Sequence, residues 1–225
     1  MAASPHGFTD RSFKFLADLA KNNEREWFND NKALFHEVLE APFLALLEDL
    51  SDRLSDADIP LKGGKKTMFR MNRDVRFSKD KRRYKENVAG LLTPSGTKKE
   101  MAGLVYCDIR ADGGMAAAGY YNLAPKALGP MRDKMVADEA GFQEALDALS
   151  AAGLSLKTEN ALSTMPRGFT EHADHPHAWA IKLKSVIVME PMPKTAWKSG
   201  DVADRVERIA RGAMPLFQFF APDQV

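Results

Sequence analysis

The run Gly103 to Ala111, the turn Asp112-Gly113-Gly114 and the run Met115 to Asn122 constrain the fold more than any other part of this chain. The first run alternates in the manner of a half-buried strand, and the glycines between the two permit the positive φ that a tight hairpin needs. An antiparallel sheet follows. Short runs at Thr67 to Met71, Asn87 to Leu92, Leu154 to Lys157 and Val186 to Met189 read as its other strands.

Helical periodicity frames this sheet on both sides in the sequence. Thr9 or Asp10 caps a first helix with Phe13, Leu16, Ala17 and Ala20 on one stripe. Asn23, with Glu26 three residues on, reads as the capping box of a second helix that carries Trp27, Leu34 and Val38. Pro42 fits the first turn of a third helix reaching Leu54. Pro125 and Pro130 bracket the start of another helical region, whose stripe of Phe142, Ala145, Leu146 and Leu149 ends at Gly153. Pro176 opens a helix toward Lys184, and a last helix spans Asp201 to Phe220. The expected fold is a single domain, 1–225, of the α+β class: an antiparallel sheet centred on the 103–122 hairpin, packed by N-terminal and C-terminal helices. The longest linker is read at Ser95 to Glu100.

Hydrophobic residues at 44% and charged residues at 28% fit an ordinary globular chain and exclude a mainly disordered one. No stretch approaches the roughly 20 apolar residues a bilayer requires, and the start MAASPHGFTDRSF has no apolar secretion segment. The expected location is therefore cytoplasmic, with no membrane partner. The one cysteine, Cys107, excludes an internal disulfide and sits where a strand buries a small residue.

The net charge of +1 conceals an uneven distribution. Residues 62–85 hold eleven Lys or Arg against Asp74 and Asp80. From Arg70 to Asn87 the sequence RMNRDVRFSKDKRRYKEN is rich in arginine and interleaves Phe77 and Tyr84. A solvated helical face would carry Lys and Glu and lack these aromatics. Arginine presents a planar fork suited to phosphate or carboxylate, and an aromatic ring can stack on a guanidinium or a base. Asp74 and Asp80 are placed to orient Arg73, Arg76 or Lys81. If Arg73 to Phe77 is a strand, Asp74 and Arg76 share one face. The candidate ligand-binding residues are Arg70, Arg73, Arg76, Lys79, Lys81 and Lys85, and the ligand classes are a phosphate-containing small molecule or a nucleic-acid backbone. The competing reading is a structural ion-pair network.

Asn22-Asn23 with Glu26-Trp27-Phe28, then Arg73-Asp74-Val75-Arg76-Phe77-Ser78-Lys79-Asp80-Lys81 with Tyr84-Lys85, resemble the signature of the domain-of-unknown-function 2461 family. The resemblance continues through Gly119-Tyr120-Tyr121, Pro125, Pro166-Arg167-Gly168-Phe169 and His175-Pro176 to the C-terminal helix. It implies one domain along nearly the whole chain and carries no catalytic residues with it. Where the family often has proline before the tyrosine, this chain has Arg82-Arg83.

Glu171, His172, Asp174, His175 and His177 crowd seven residues, so His172, Asp174 and His175 are candidate metal ligands, although their spacing is not the i, i+4 pair of a helical zinc site. The surface-loop reading makes Asp174 a helix cap. Tyr120 and Tyr121 point to opposite faces, one ring to the core and one hydroxyl free to face the basic segment. Lys62-Gly63-Gly64-Lys65-Lys66-Thr67 lacks the spacer of a phosphate loop, and neither GxGxxG nor Gly-x-Ser-x-Gly occurs, so no cofactor is expected. Three functional readings stand: an anion-binding protein; an enzyme on a phosphate or carboxylate substrate with Asp74, Tyr84 or His175 as acid or base; and a structural or interaction protein.

Overall fold

The structure, a computed structural model, describes residues 6–99 and 103–221 of the 225-residue chain. The expected hairpin forms as β2 (Leu104–Arg110) and β3 (Gly113–Tyr120), flanked by β1 (Asn87–Leu92) and β4 (Val186–Pro191). The four strands make one antiparallel sheet in the order β1-β2-β3-β4, so the architecture is α+β as expected. Gly113 and Gly114 both take positive φ just after the turn, and a Cβ at Gly114 would lie 2.0 Å from the Asp108 carbonyl oxygen, so this hairpin excludes side chains there.

Register sets which residues share a face. Gly90 of β1 pairs with Cys107, and Cys107 with Ala116, while Leu92, Val105, Ala118 and Val188 form the next row. These rows face the core, where α4 (Ala41–Arg53) packs on β1 and α9 (Asp201–Gly212) packs on β3. Gly90 makes the first contact close: a Cβ there would meet Leu47 Cδ1 at 2.6 Å. Both the N-terminal and the C-terminal helices thus cover the same side of the sheet. Phe43, Leu47, Trp197 and Val206 are buried within that core, each side chain contributing about 1.5–3 kcal/mol relative to exposure. Cys107 is fully buried there, and burial pushes its thiol pKa up.

The opposite rows run Ala89, Asp108, Met115; then Leu91, Tyr106, Ala117, Met189; then Leu104, Gly119, Ile187. Ala89, Leu91, Ala117 and Ile187 are buried yet stand outside the core cluster. Leu91, Ala117 and Ile187 line a concavity on this face of the sheet.

Several elements differ from expectation. α1 (Asp10–Lys21) takes Thr9, one of the two expected caps, as its N-cap, and Ser12 completes a capping box with it. Asn23, by contrast, caps nothing: α2 (Arg25–Asp30) starts after Glu24 without a side-chain cap, because the Asn23 amide is engaged by Tyr84. The second helix is shorter than its stripe implies, passing through α3 (Lys32–Phe35) and a π turn at His36–Glu40 before Pro42 settles in the first turn of α4. Thr67 to Met71 makes one isolated bridge, Met68 to Gly90, rather than a strand, since the Thr67 hydroxyl closes a turn on Gly64. Leu154 to Lys157 likewise makes a single bridge, Leu156 to Val188. After α5 (Pro125–Ala137) and α6 (Glu139–Ala151), the helix expected from Pro176 shrinks to α7 (Ala178–Ile181). The final helix is interrupted: beyond α8 (Lys194–Ser199) and α9, Pro215 lacks the N–H to continue the ladder and instead sits in the first turn of α10 (Met214–Phe220). Among the described residues no helix is long and apolar enough to cross a membrane. The Ser95 to Glu100 linker ends, at Glu100, outside the described residues, as does the opening MAASP.

Candidate functional site

The basic segment folds as a loop on a short stem. Arg73 N donates to Arg83 O at 2.8 Å, Lys85 N donates to Met71 O at 2.8 Å, and Asn72 bridges to Tyr84. The strand entertained for Arg73 to Phe77 is therefore absent, and the reason is local: Asp74 Oδ1 accepts from Arg76 N, and Asp80 Oδ1 from Arg82 N, two turns that compete with a ladder. Tyr84 anchors the stem, stacked on Phe28 with ring centroids 4.1 Å apart.

Within the loop the acids do orient arginines. Asp74 takes Arg76 in a fork of 3.0 and 2.7 Å, and Asp80 holds Arg73 at 2.5 Å and Arg82 at 2.7 Å. Arg82 also pairs with Glu86, and Lys81 donates to the Val75 carbonyl. The Arg76 side-chain bond lowers the Asp74 pKa, and those of Arg82 and Arg73 lower that of Asp80. The Arg76 and Arg82 pairs are largely exposed and that of Arg73 half-buried, so each adds little stability, but they occupy the forks of Arg73, Arg76 and Arg82. Phe77 is 95% exposed at the tip, with the Arg76 guanidinium 5.9 Å from its centroid.

Arg70, Lys79 and Lys85 make no ion pair among the described residues. Lys79 is simply exposed. Lys85 is different: its Nζ lies 4.7 Å from the Phe69 ring centroid, and Lys98, which donates to the Met68 carbonyl, approaches the same ring at 5.9 Å. Burial, then the charges of Arg70 and Lys98, lower the Lys85 pKa. Two lysines thus meet at one aromatic ring, with the Arg70 charge near enough to act on Lys85, and no carboxylate among the described residues hydrogen-bonds to any of the three.

Phe69 belongs also to the wall of a groove of about 450 Å³ on the second face of the sheet. Leu91, Ala117 and Ile187 floor it, Leu104 and Met189 flank them, and Tyr121, 65% exposed, stands at its mouth. Tyr120 turns inward against Phe217 and Phe220, and burial pushes its hydroxyl up to about 12. One ring is core and the other is not, as strand alternation requires.

A fixed polar cluster closes the hairpin end. Asp108 has no exposed surface, and its Oδ2 accepts from Asn87 Nδ2 at 2.9 Å, Tyr106 Oη at 2.9 Å, and Arg110 Nε and Nη2 at 2.9 and 2.8 Å. Met115 N reaches Oδ1 at 3.1 Å. Tyr106 and Arg110 line the groove, each held by this carboxylate, and Arg110 Nη1 makes no hydrogen bond among the described residues. Burial and the Asp108 charge raise the Tyr106 pKa, so its hydroxyl is a donor here and not a base.

The other candidates stay apart. Asp74 belongs with Arg76, Tyr84 with Phe28 and Asn23, and His175 with Glu139 at 3.6 Å and the His177 backbone. None of the three lines the groove. The His172 and His175 rings are 6.3 Å apart, and among the described residues no three His, Cys, Asp or Glu side chains gather as metal ligands. Asp174 is exposed and caps no helix, α7 starting after His177.

Sequence reasoning missed Phe69, Lys98, Tyr106, Asp108 and Arg110. One signal was present: Ala116-Ala117-Ala118-Gly119 is a poor strand former, and such residues in a strand mark close approach or space. A second was Tyr106, Asp108 and Arg110 at alternate positions, three polar groups on one face.

Neither the search of curated proteins nor that of solved structures finds a match. The sequence does match, over residues 11–219, the family described as "Conserved hypothetical protein (DUF2461)", and the chain belongs to that family.

Proposed function

We propose that the protein binds an anionic small molecule, phosphate- or carboxylate-bearing, at Arg70, Lys85 and Lys98 around Phe69. The approach of Lys85 and Lys98 to the Phe69 ring, with the Arg70 charge acting on Lys85 and no hydrogen-bonded carboxylate on any of the three, carries the reading. Like charges held together beside a ring repel one another, and an arriving anion relieves that repulsion while gaining charge-assisted hydrogen bonds. The ion-paired Arg73, Arg76 and Arg82 fit the structural reading of the segment instead: they shape the loop and leave the binding to its base. The enzyme reading draws no support from Asp74, Tyr84 and His175, none of which lines the groove.

Titration calorimetry with inorganic phosphate and pyrophosphate tests this. Lys85→Gln and Lys98→Gln are each expected to weaken binding roughly tenfold, the worth of one charge-assisted bond, while Arg76→Gln leaves it unchanged. Absence of binding at millimolar anion, or equal losses in all three variants, sinks the proposal. Salt-sensitive binding of a single-stranded oligonucleotide that is lost on Phe77→Ala and kept on Lys85→Gln would put the nucleic-acid reading in its place.

A further inference from the structure

The groove and the cation cluster share the Phe69 ring. That ring has Lys85 and Lys98 against it, and it lines the same groove as the apolar Leu91, Ala117 and Ile187. A volume of about 450 Å³ lies within the range of roughly 300–1,000 Å³ that small-molecule pockets occupy. The floor residues are buried although they stand outside the hydrophobic core. Ala117 lies between Tyr106 and Met189 in its row, and Gly119 follows on the same face, so β3 supplies little side-chain bulk where its neighbours supply much. A bare phosphate would leave that surface empty.

We infer that the ligand is an amphiphilic anion, its charged group at Phe69 between Lys85 and Lys98 and its apolar body laid across Leu91, Ala117 and Ile187. This rests on the anion-binding reading above and adds the ligand's apolar part. The positive wall selects an anionic partner over a neutral one, and the volume suits a small molecule. Arg110, locked by Asp108 with Nη1 unspent, sets a polar limit to the apolar floor at the hairpin end. An apolar body grows favourably until it meets that guanidinium.

The test is a series of methyl, butyl and octyl phosphate titrated into the full chain below micellar concentrations, with octanol as the neutral control. Affinity is expected to rise roughly threefold to fourfold per buried methylene, to fall about tenfold in Lys85→Gln at every chain length, and to lose its length dependence in Ala117→Leu. The wild-type series stands alone should that variant fail to fold by circular dichroism. If phosphate binds but methyl and octyl phosphate bind equally, the amphiphile is wrong and the anion site survives. If nothing in the series binds, both fall. Octanol binding as tightly as octyl phosphate would overturn the anionic head. A dimer in sedimentation that Ala117→Leu dissociates would assign the face to a second copy of the chain and overturn the inference.

Discussion

The side chain of Asn23, between α1 and α2, hydrogen-bonds both backbone groups of Tyr84: its Oδ1 accepts from Tyr84 N at 2.8 Å and its Nδ2 donates to Tyr84 O at 3.1 Å. This amide substitutes for a strand neighbour and pins the stem of the basic loop, one residue from Lys85, to the N-terminal helices. Asn23→Ala leaves two backbone groups without partners and is expected to cost about 1–3 kcal/mol. Urea melts should show a lowered midpoint. Phosphate affinity should drop with it, because Lys85 loses its fixed position over Phe69.

Asp108→Ala removes the one acceptor shared by Tyr106, Asn87, Arg110 and the Met115 amide. The expected loss is at least about 3 kcal/mol, since buried donors are left unmet. Chemical denaturation checks it, and an unchanged midpoint would mean that solvent reaches these groups.

At Gly90 an added methyl group would force Leu47 to shift, with Leu47 Cδ1 at 2.6 Å and Phe43 Cε1 at 3.1 Å from its would-be position. Gly90→Ala is expected to destabilise by about 1–3 kcal/mol through overpacking. Leu47→Ala should cost less in the Gly90→Ala background than alone, a coupling readable in a double-mutant cycle.

Stability should fall in acid. The hydrogen bond from Lys65 lowers the Glu40 pKa from 4.5; at Asp49 burial acts upward, but Arg53 and His6 outweigh it and lower the pKa from 3.8. Below these ordinary values the unfolded chain takes up protons that the folded chain refuses, so the contribution is whole above about 4.5 and is lost as pH falls through the lower folded-state values. Urea midpoints measured from pH 6 to 2.5 should show this decline, and Lys65→Gln should flatten its first part.

Lys85 titrates in the opposite quarter. Its lowered pKa means that the charge is lost before pH reaches the ordinary 10.5 of a lysine. Phosphate affinity should therefore weaken as pH rises toward that value, while folding stability rises slightly over the same window because the unfolded chain holds the extra proton. In Lys85→Arg the affinity should stay level through it.

What the sequence made legible was local. Glycines after Asp112 specified the hairpin, Thr9 the start of α1 and Pro42 the first turn of α4, because each acts through backbone geometry within a few residues. The pairing of Asp74 and Asp80 with nearby arginines was equally short in range. The role of Asn23 was not, since a capping pattern and a clamp on a residue 61 positions away use the same amide, and only the approach of Tyr84 settled between them. Pro215 lay within an unbroken apolar period, so the stripe concealed the division of α9 from α10. Tertiary structure alone decided which cations keep free charge: Arg73 and Arg76 met acids in their own loop, while Lys85 met Lys98 and Phe69 from other segments. It also decided that both sets of helices cover one face of the sheet, leaving Ala117 and Gly119 to floor a groove. Composition sets how much charge and apolar surface a chain carries; long-range packing determines which of it is left to meet a ligand.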